Sequence, residues 1–149
     1  MTEITPALRS DFAPTGRLRI GLNMGNFLLT RTDADTGKPA GVAHDLAQEL
    51  ARRLGLPVSM CPFPSPGALA DAANMNQWDV CFLAAEPQRA KEIDFTAAYV
   101  EIDATYLVPP GSKLRHAEEV DHEGIRIIAP SRAAYELYLT RTLKHAALT

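Results

Sequence analysis

The sequence predicts an α/β fold, with a mostly parallel sheet and helices on its faces. Strand-length apolar runs alternate with two segments of helical periodicity between residues 18 and 84. Parallel strands need such crossover segments, so this alternation is typical of a parallel sheet. The chain has 149 residues, of which 46% are hydrophobic and 22% charged, which is ordinary for a globular protein with a buried core.

The first strand is predicted at Leu18–Asn23 (LRIGLN), after a loosely held leader at residues 1–16. Turn-forming residues at 33–41 then lead into the clearest helix, Val42–Leu54. Its large apolar side chains recur every four residues, with small alanines beside them, and Gly55 follows at the position of a C-cap. This is the pattern of an amphipathic helix packed on a sheet.

A second strand is predicted at residues 57–63, a second helix at 65–75 and a third strand at 79–84. The second helix carries the expected start signals. Ser65 is an N-cap residue, and Pro66 suits the first helical position because the N–H that it lacks would be unpaired there.

The stretch after the third strand is the strongest candidate for a binding site. A helix is predicted to open at Glu86-Pro87 and to carry Arg89 in its first turn. A guanidinium beside the free N–H groups of a helix start can bind a carboxylate with two parallel hydrogen bonds. The carboxyl ends of parallel strands face one crevice, so the loops at 23–26, 61–63 and 84–89 are expected to converge near Arg89.

The last third of the chain predicts a second lobe. Residues 99–108 alternate as an extended hinge strand, and prolines and glycine at 109–112 break it. A short helical turn at 116–120, a strand at 125–129 and a long helix at 131–148 follow. We therefore expect lobe 1 at residues 17–110 and the start of an incomplete second lobe at 111–149.

Several classes of function are disfavoured. The net charge is −3 and no basic run is present, which argues against nucleic acid as a partner. No run approaches the roughly 20 apolar residues that span a bilayer, and no signal peptide is evident. The four histidines form no zinc or nucleophile motif, so we expect no metal, no cofactor and no enzymatic activity. Glu101 and Asp103 could form an acid/base pair, although a hydrated strand face explains them better.

A resemblance is carried by four segments in order, followed by the opening of a second lobe: LRIGLN, GKPAGVAHDLAQELARRLG, WDVCFLA and EPQRAKEIDFTAAYVEIDATYLVPPGS. Over residues 16–144 the chain resembles the family 3 extracellular solute-binding proteins, the amino-acid receptors of ABC importers. The resemblance implies a two-lobed, periplasmic-binding-protein-like fold that closes around a ligand, here truncated within its second lobe. It also implies that strand one lies between strands two and three. Cys61 and Cys81 would then be two strand spacings apart, roughly 9.5 Å, too far for a disulfide.

The resemblance also assigns site residues. In such proteins the arginine matching Arg89 holds the ligand's α-carboxylate. The family's hydroxyl-bearing segment is shorter here and ends in Ala84 and Ala85, so backbone carbonyls would have to accept from the ligand's ammonium group. The other expected contacts come from the loop after strand one and from the start of the second-lobe helix: Asn23, Asn26, Phe27 and Arg132. Phe27 could instead be a core or lip residue. Arg132 is either a second cation for the ligand or a solvent-facing side chain.

The function implied is capture of a small carboxylate, an amino acid, for an ABC importer. Two alternatives remain: a cyclohexadienyl or arogenate dehydratase-like enzyme on the same fold, and a degenerate ligand-sensing lobe without a transport role. An ABC permease is the implied partner, and the incomplete second lobe suggests a homo-oligomer formed by segment exchange. The family resemblance implies a periplasmic location, whereas the lack of a signal peptide in this sequence allows a cytoplasmic one.

Overall fold

The computed structural model describes residues 4–149. The chain divides into two compact units, Met1–Ala84 and Ala85–Thr149, each with its own hydrophobic core. The predicted lobe limits at 17–110 and 111–149 stay predictions. The predicted α/β fold class is confirmed.

The first unit contains a parallel sheet, a short hairpin and three α-helices. Its strands are β1 (Leu18–Asn23), β2 (Arg31–Thr32), β3 (Pro39–Ala40), β4 (Val58–Phe63) and β5 (Val80–Phe82). Its helices are α1 (Pro6–Phe12), α2 (Val42–Leu54) and α3 (Pro66–Asp71), and α3 continues into a 3₁₀ turn, Ala72–Met75.

The sheet of the first unit has the order β4-β1-β5, with β1 parallel to both neighbours. The predicted order is therefore confirmed. Gly21 of β1 pairs with Cys61 on one side and with Cys81 on the other. Neither cysteine forms a disulfide in the structure. Burial raises the pKa of the Cys61 thiol, which keeps that side chain in its protonated, unreactive form at neutral pH.

Helix α2 has the predicted bounds and the predicted end, because Gly55 adopts the left-handed conformation of a C-cap at φ 64°. Its buried face is made of small residues, namely Ala43, Ala47 and Ala51, together with Leu54. Val42 and Leu46 of the large apolar series are 50% and 39% exposed instead. Small side chains let the helix approach the sheet closely, so the alanines rather than the larger residues form the contact.

The N-cap of α3 was predicted from the sequence, whereas that of α1 was not. Ser65 accepts a hydrogen bond from the Ala68 N–H at 3.2 Å and starts α3, as predicted. Residues 1–16 were expected to form a loosely held leader, yet α1 lies within them. Its start was missed although the sequence carries the signal: Thr5 accepts from the Leu8 N–H at 3.2 Å, and Pro6 occupies the first position.

The second unit is poorer in regular structure. Its elements are β6 (Arg126–Ile127), α4 (Ala134–Thr142) and β7 (Ala147–Leu148), with single 3₁₀ turns at Arg89–Lys91 and Ala117–Glu119. Its core consists of Val120, Ile127 and Leu139. The predicted turn at 116–120 is confirmed, and the predicted strand at 125–129 is shortened to β6.

Two predictions for this unit are wrong. No strand is assigned at residues 99–108, within the described part of the chain, and Leu107 is exposed. The helix predicted at 131–148 ends at Thr142, after which β7 pairs parallel with β6. The reason is Asp121, whose carboxylate accepts the backbone N–H groups of Lys144, His145 and Ala146, each at 2.9 Å. These bonds turn the chain out of the helix and toward β6.

The same bonds predict a pH dependence. Hydrogen bonds from Ala146 and His145 lower the pKa of Asp121 from 3.8 to about 2. A carboxyl whose pKa is depressed on folding stabilises the fold above its unfolded pKa, and this stabilisation is lost as the pH falls through the folded value. In urea titrations we expect wild type to be more stable than Asp121→Asn at pH 7, with the gap closing between about pH 4 and pH 2. Glu123→Gln, at an exposed acid of the same unit, is the matched control. A gap that stays constant across this range would contradict the assignment.

Candidate functional site

Arg89 lies in a single turn rather than in a helix. The prediction that a helix opens at Glu86-Pro87 is wrong, because the structure has only the 3₁₀ turn Arg89–Lys91 there. The Arg89 carbonyl accepts from the N–H groups of both Glu92 and Ile93 at 3.0 Å, which closes the turn. The helix dipole invoked from the sequence therefore adds little, and Arg89 must act through its own charge and hydrogen bonds.

The side chain of Arg89 is held inside the second unit. The residue is 6% exposed, and its Nη2 donates to the backbone carbonyl of Arg132 at 2.9 Å. Arg132 itself has a left-handed backbone, φ 62°, which costs a non-glycine residue about 1 kcal/mol. Its N–H donates to Glu136 Oε2 at 3.0 Å. Arg132 is exposed, so it contributes its carbonyl to Arg89 while its side chain lies at the surface.

A second buried charge, Glu86, was missed by the sequence analysis. Glu86 is 4% exposed, forms an ion pair with Arg141 and accepts the Gln88 N–H at 2.9 Å. An acid before a proline was taken as an ordinary helix-start residue. Arg141 lies 55 positions further along the chain, so no local pattern could have indicated the pair.

The end of β1 and the loop after it contain three of the predicted ligand residues, and both asparagines have structural roles. Asn23 Oδ1 accepts the Gly25 N–H at 3.1 Å, and Asn26 Oδ1 accepts the Leu28 N–H at 3.2 Å. The Thr30 hydroxyl donates to the Asn23 carbonyl at 2.6 Å and so closes the loop. Phe27 projects from it with 84% exposure, which excludes the alternative of a core residue within this unit.

The predicted residues therefore fall into two groups. Asn23, Asn26 and Phe27 share one loop of the first unit, and Arg89 contacts Arg132 within the second. Ala84 and Ala85 are exposed and lie on either side of the division between the units. Their ligand roles stay predictions.

The second unit also has an open cleft of about 440 Å³ beside α4. Apolar side chains such as Leu139, Leu143 and Leu148 line it, with Glu136 and Thr140 as polar neighbours. Glu136 is already engaged there, because its Oε1 accepts from the Thr140 hydroxyl at 3.1 Å. The cleft therefore offers an apolar surface more than a charged receptor.

Metal-ligating clusters and membrane-spanning helices are both absent from the part of the chain that the structure describes. Among residues 4–149, no group of three or more His, Cys, Asp or Glu side chains could hold a metal ion. In that same part of the chain, no helix has the length and apolar character needed to cross a membrane.

Solved structures share this fold. An ancestral amino-acid-binding protein, a precursor of cyclohexadienyl dehydratase, matches with a TM-score of 0.76 at 23% identity, covering 95% of this chain and 63% of its own. A protein assigned as the binding component of an ABC transporter from Wolinella succinogenes, complexed with lysine, gives 0.74 at 22%, covering 91% and 59%. The cysteine-binding protein of Campylobacter jejuni gives 0.67 at 18%, covering 94% and 58%.

These likenesses show the fold alone, and the chain spans roughly 60% of the length of these structures. No curated protein matched the sequence. The family comparison is more direct: residues 18–143 match the model of the bacterial extracellular solute-binding proteins, family 3. That match covers most of the chain and confirms the resemblance seen in the sequence. The chain belongs to the family 3 bacterial extracellular solute-binding proteins.

Proposed function

We propose that this chain carries the ligand-binding part of a solute receptor that captures an amino acid through its carboxylate, for delivery to an ABC importer. The observation that supports this most is the buried guanidinium of Arg89, with an acceptor oxygen 2.9 Å from its Nη2. The Arg132 carbonyl oxygen occupies a position that an oxygen of the ligand's carboxylate would take, as the acceptor of the Arg89 hydrogen bond. A carboxylate is the better partner, because it carries the opposite charge and can accept two parallel hydrogen bonds from the guanidinium, whereas the Arg132 carbonyl is a single neutral acceptor.

The other contacts are proposed by unit. In the first unit, Asn23, Asn26, Phe27 and Ala84 would contribute side-chain or backbone contacts to the ligand. In the second, Ala85 would offer its carbonyl, and Arg132 would release its carbonyl from Arg89 when a carboxylate arrives. The membership of the family, together with neighbours that bind lysine and cysteine, favours an amino acid as the ligand and an extracytoplasmic site of action.

The test is a binding screen of the twenty L-amino acids against the full chain, by thermal shift and then by isothermal titration calorimetry. Removing one partner of a buried charge pair typically costs 2–5 kcal/mol, so Arg89→Ala is expected to weaken the binding of the selected amino acid by about 30-fold or more. Arg89→Lys keeps the charge but loses the planar fork, and an intermediate loss is expected.

Arg126→Ala is the matched control, because Arg126 is an exposed arginine of the same unit. Its affinity should equal that of the wild type. Circular dichroism must show that each variant is folded at the temperature of the titration. Unchanged affinity in folded Arg89→Ala would remove Arg89 from the site. Absence of binding by the wild type would favour a degenerate lobe, and turnover of prephenate or arogenate would favour a dehydratase.

A further inference from the structure

The Arg89 turn is joined to α4 at two points. Near the start of the helix, Arg89 donates to the Arg132 carbonyl, and near its end Arg141 pairs with Glu86. Arg132 lies two residues before α4, and residues 134 and 141 within the helix are separated by roughly 10 Å at a rise of about 1.5 Å per residue. The turn that carries Arg89 is therefore fixed along most of the length of α4, not at a single contact.

Glu86 is held both by a side chain of α4 and by the backbone beside it. Its Oε1 accepts from Arg141 Nη1, and its Oε2 accepts the Gln88 N–H at 2.9 Å. The same Arg141 nitrogen donates to the Leu137 carbonyl at 3.0 Å, which fixes the guanidinium against its own helix. A buried carboxylate without a partner is costly, so Glu86 has a strong preference for this one arrangement. The Gln88 bond closes the backbone immediately before Arg89.

We propose that Glu86 and Arg141 are positioning residues, which hold the Arg89 turn on α4 so that its guanidinium is already oriented for the carboxylate of the ligand. This inference rests on the proposed function of Arg89. Ordering a free arginine side chain on binding costs conformational entropy. A site in which this cost has been met before the ligand arrives binds more tightly.

A positioning role and simple electrostatics predict opposite changes in ligand affinity for the Glu86→Gln variant. Glu86→Gln removes a negative charge near Arg89, and electrostatics alone would tighten the binding of a carboxylate. Arg141→Met removes a positive charge and would weaken it. If the pair acts by positioning, both variants weaken binding, by about 10-fold each, because the arginine must then be ordered by the ligand. The double variant should then be no weaker than either single one, because the same attachment is lost in all three.

The experiment uses the full chain and the twenty L-amino acids as probes, by calorimetry at a temperature at which every variant is folded. Glu49→Gln, which breaks the exposed ion pairs of α2 with Arg52 and Arg53, is the matched control and should leave affinity unchanged. A gain of affinity in Glu86→Gln, or unchanged affinity in both variants, would overturn the proposal while leaving that of Arg89 intact. A wild type that binds none of the probes would count against the proposed function itself.

A second readout does not depend on a ligand. The Nε–H resonance of Arg89, assigned by its loss in Arg89→Lys, reports the order of the guanidinium in ¹⁵N spectra. We expect a rigid signal in the wild type and an averaged one in Glu86→Gln and Arg141→Met. A role confined to global stability would lower the urea midpoint of these variants but leave this signal unaltered in the folded protein, and that outcome would overturn the positioning role.

Discussion

Replacing Asp79 by alanine is expected to destabilise the first unit by about 3 kcal/mol, among the largest effects of any single substitution in this chain. Asp79 lies just before β5. Its side chain is 6% exposed and accepts three hydrogen bonds from Arg19. One comes from the Arg19 backbone N–H at 2.8 Å, and two come from the guanidinium at 3.1 and 2.6 Å.

The effect should be large because this contact sets the register of an otherwise short ladder. Strand β5 pairs with β1 at only three positions, from Ile20 with Val80 to Leu22 with Phe82. Asp79 extends the pairing by one residue, since its own N–H also donates to the Arg19 carbonyl at 2.9 Å. Alanine would keep that last bond but leave the Arg19 N–H without its carboxylate partner in a mostly dry environment.

Urea unfolding followed by the fluorescence of Trp78, the neighbouring residue, measures the change. Asp79→Asn should lie between wild type and Asp79→Ala, because an amide oxygen can still accept the backbone N–H but carries no charge. Glu49→Ala is the control: Glu49 also binds two guanidiniums, but on the exposed face of α2, where such pairs contribute little. Equal shifts for Asp79→Ala and Glu49→Ala would contradict the argument.

The first unit could be predicted from the sequence because its signals are local. Helix α2 is determined by its periodicity and by Gly55, α3 by Ser65 and Pro66, and β1 by a single apolar run. Each of these sequence signals lies within, or directly beside, the helix or strand that it determines. The burial of alanines rather than of Val42 and Leu46 could not be predicted in the same way, since it depends on how closely α2 approaches the sheet.

The second unit could not be predicted equally well, because contacts distant in sequence determine it. Asp121 ends the helix predicted to run to residue 148, and it acts from 23 residues before the first N–H that it binds. At 99–108 an alternating pattern indicates a half-buried strand only if a neighbouring strand pairs with it. The structure assigns no pairing to that stretch, within the residues it describes.

The candidate site shows the same division. Arg89 could be selected from a motif, because the residues around it are consecutive. Its contact with Arg132 and the pair formed by Glu86 and Arg141 join positions more than 40 residues apart. The local sequence therefore indicates Arg89 as the candidate binding group, but it does not indicate the residues that hold Arg89 in place. From the sequence, the Arg132 side chain could either bind the ligand or face solvent. The structure places it at the surface, and the Arg132 backbone carbonyl contacts Arg89 instead.

Gly21→Val is expected to prevent the first unit from folding, and Gly21→Ala to destabilise it by about 2–3 kcal/mol. Gly21 is the central residue of the sheet, paired with Cys61 and Cys81. A β-carbon there would lie 2.5 Å from Leu69 Cδ1 and 3.1 Å from both the Cys81 Cβ and the Trp78 Cγ. Overpacking a tight core by one methyl group costs about 1–3 kcal/mol. Leu69 is fully buried, and Trp78 is held by its hydrogen bond to the Leu69 carbonyl.

Leu69→Ala provides the decisive comparison. Leu69 is fully buried, so its truncation alone should cost about 2–5 kcal/mol. If the clash with Leu69 dominates, the double variant Gly21→Ala/Leu69→Ala should be more stable than the sum of the two losses predicts, because the new methyl group occupies part of the cavity. Gly111→Ala adds the same methyl group where no atom lies within 4 Å, and it should cost only the left-handed backbone penalty of about 1 kcal/mol. Strictly additive losses of unfolding free energy would show that Trp78 and Cys81, rather than Leu69, require glycine at position 21.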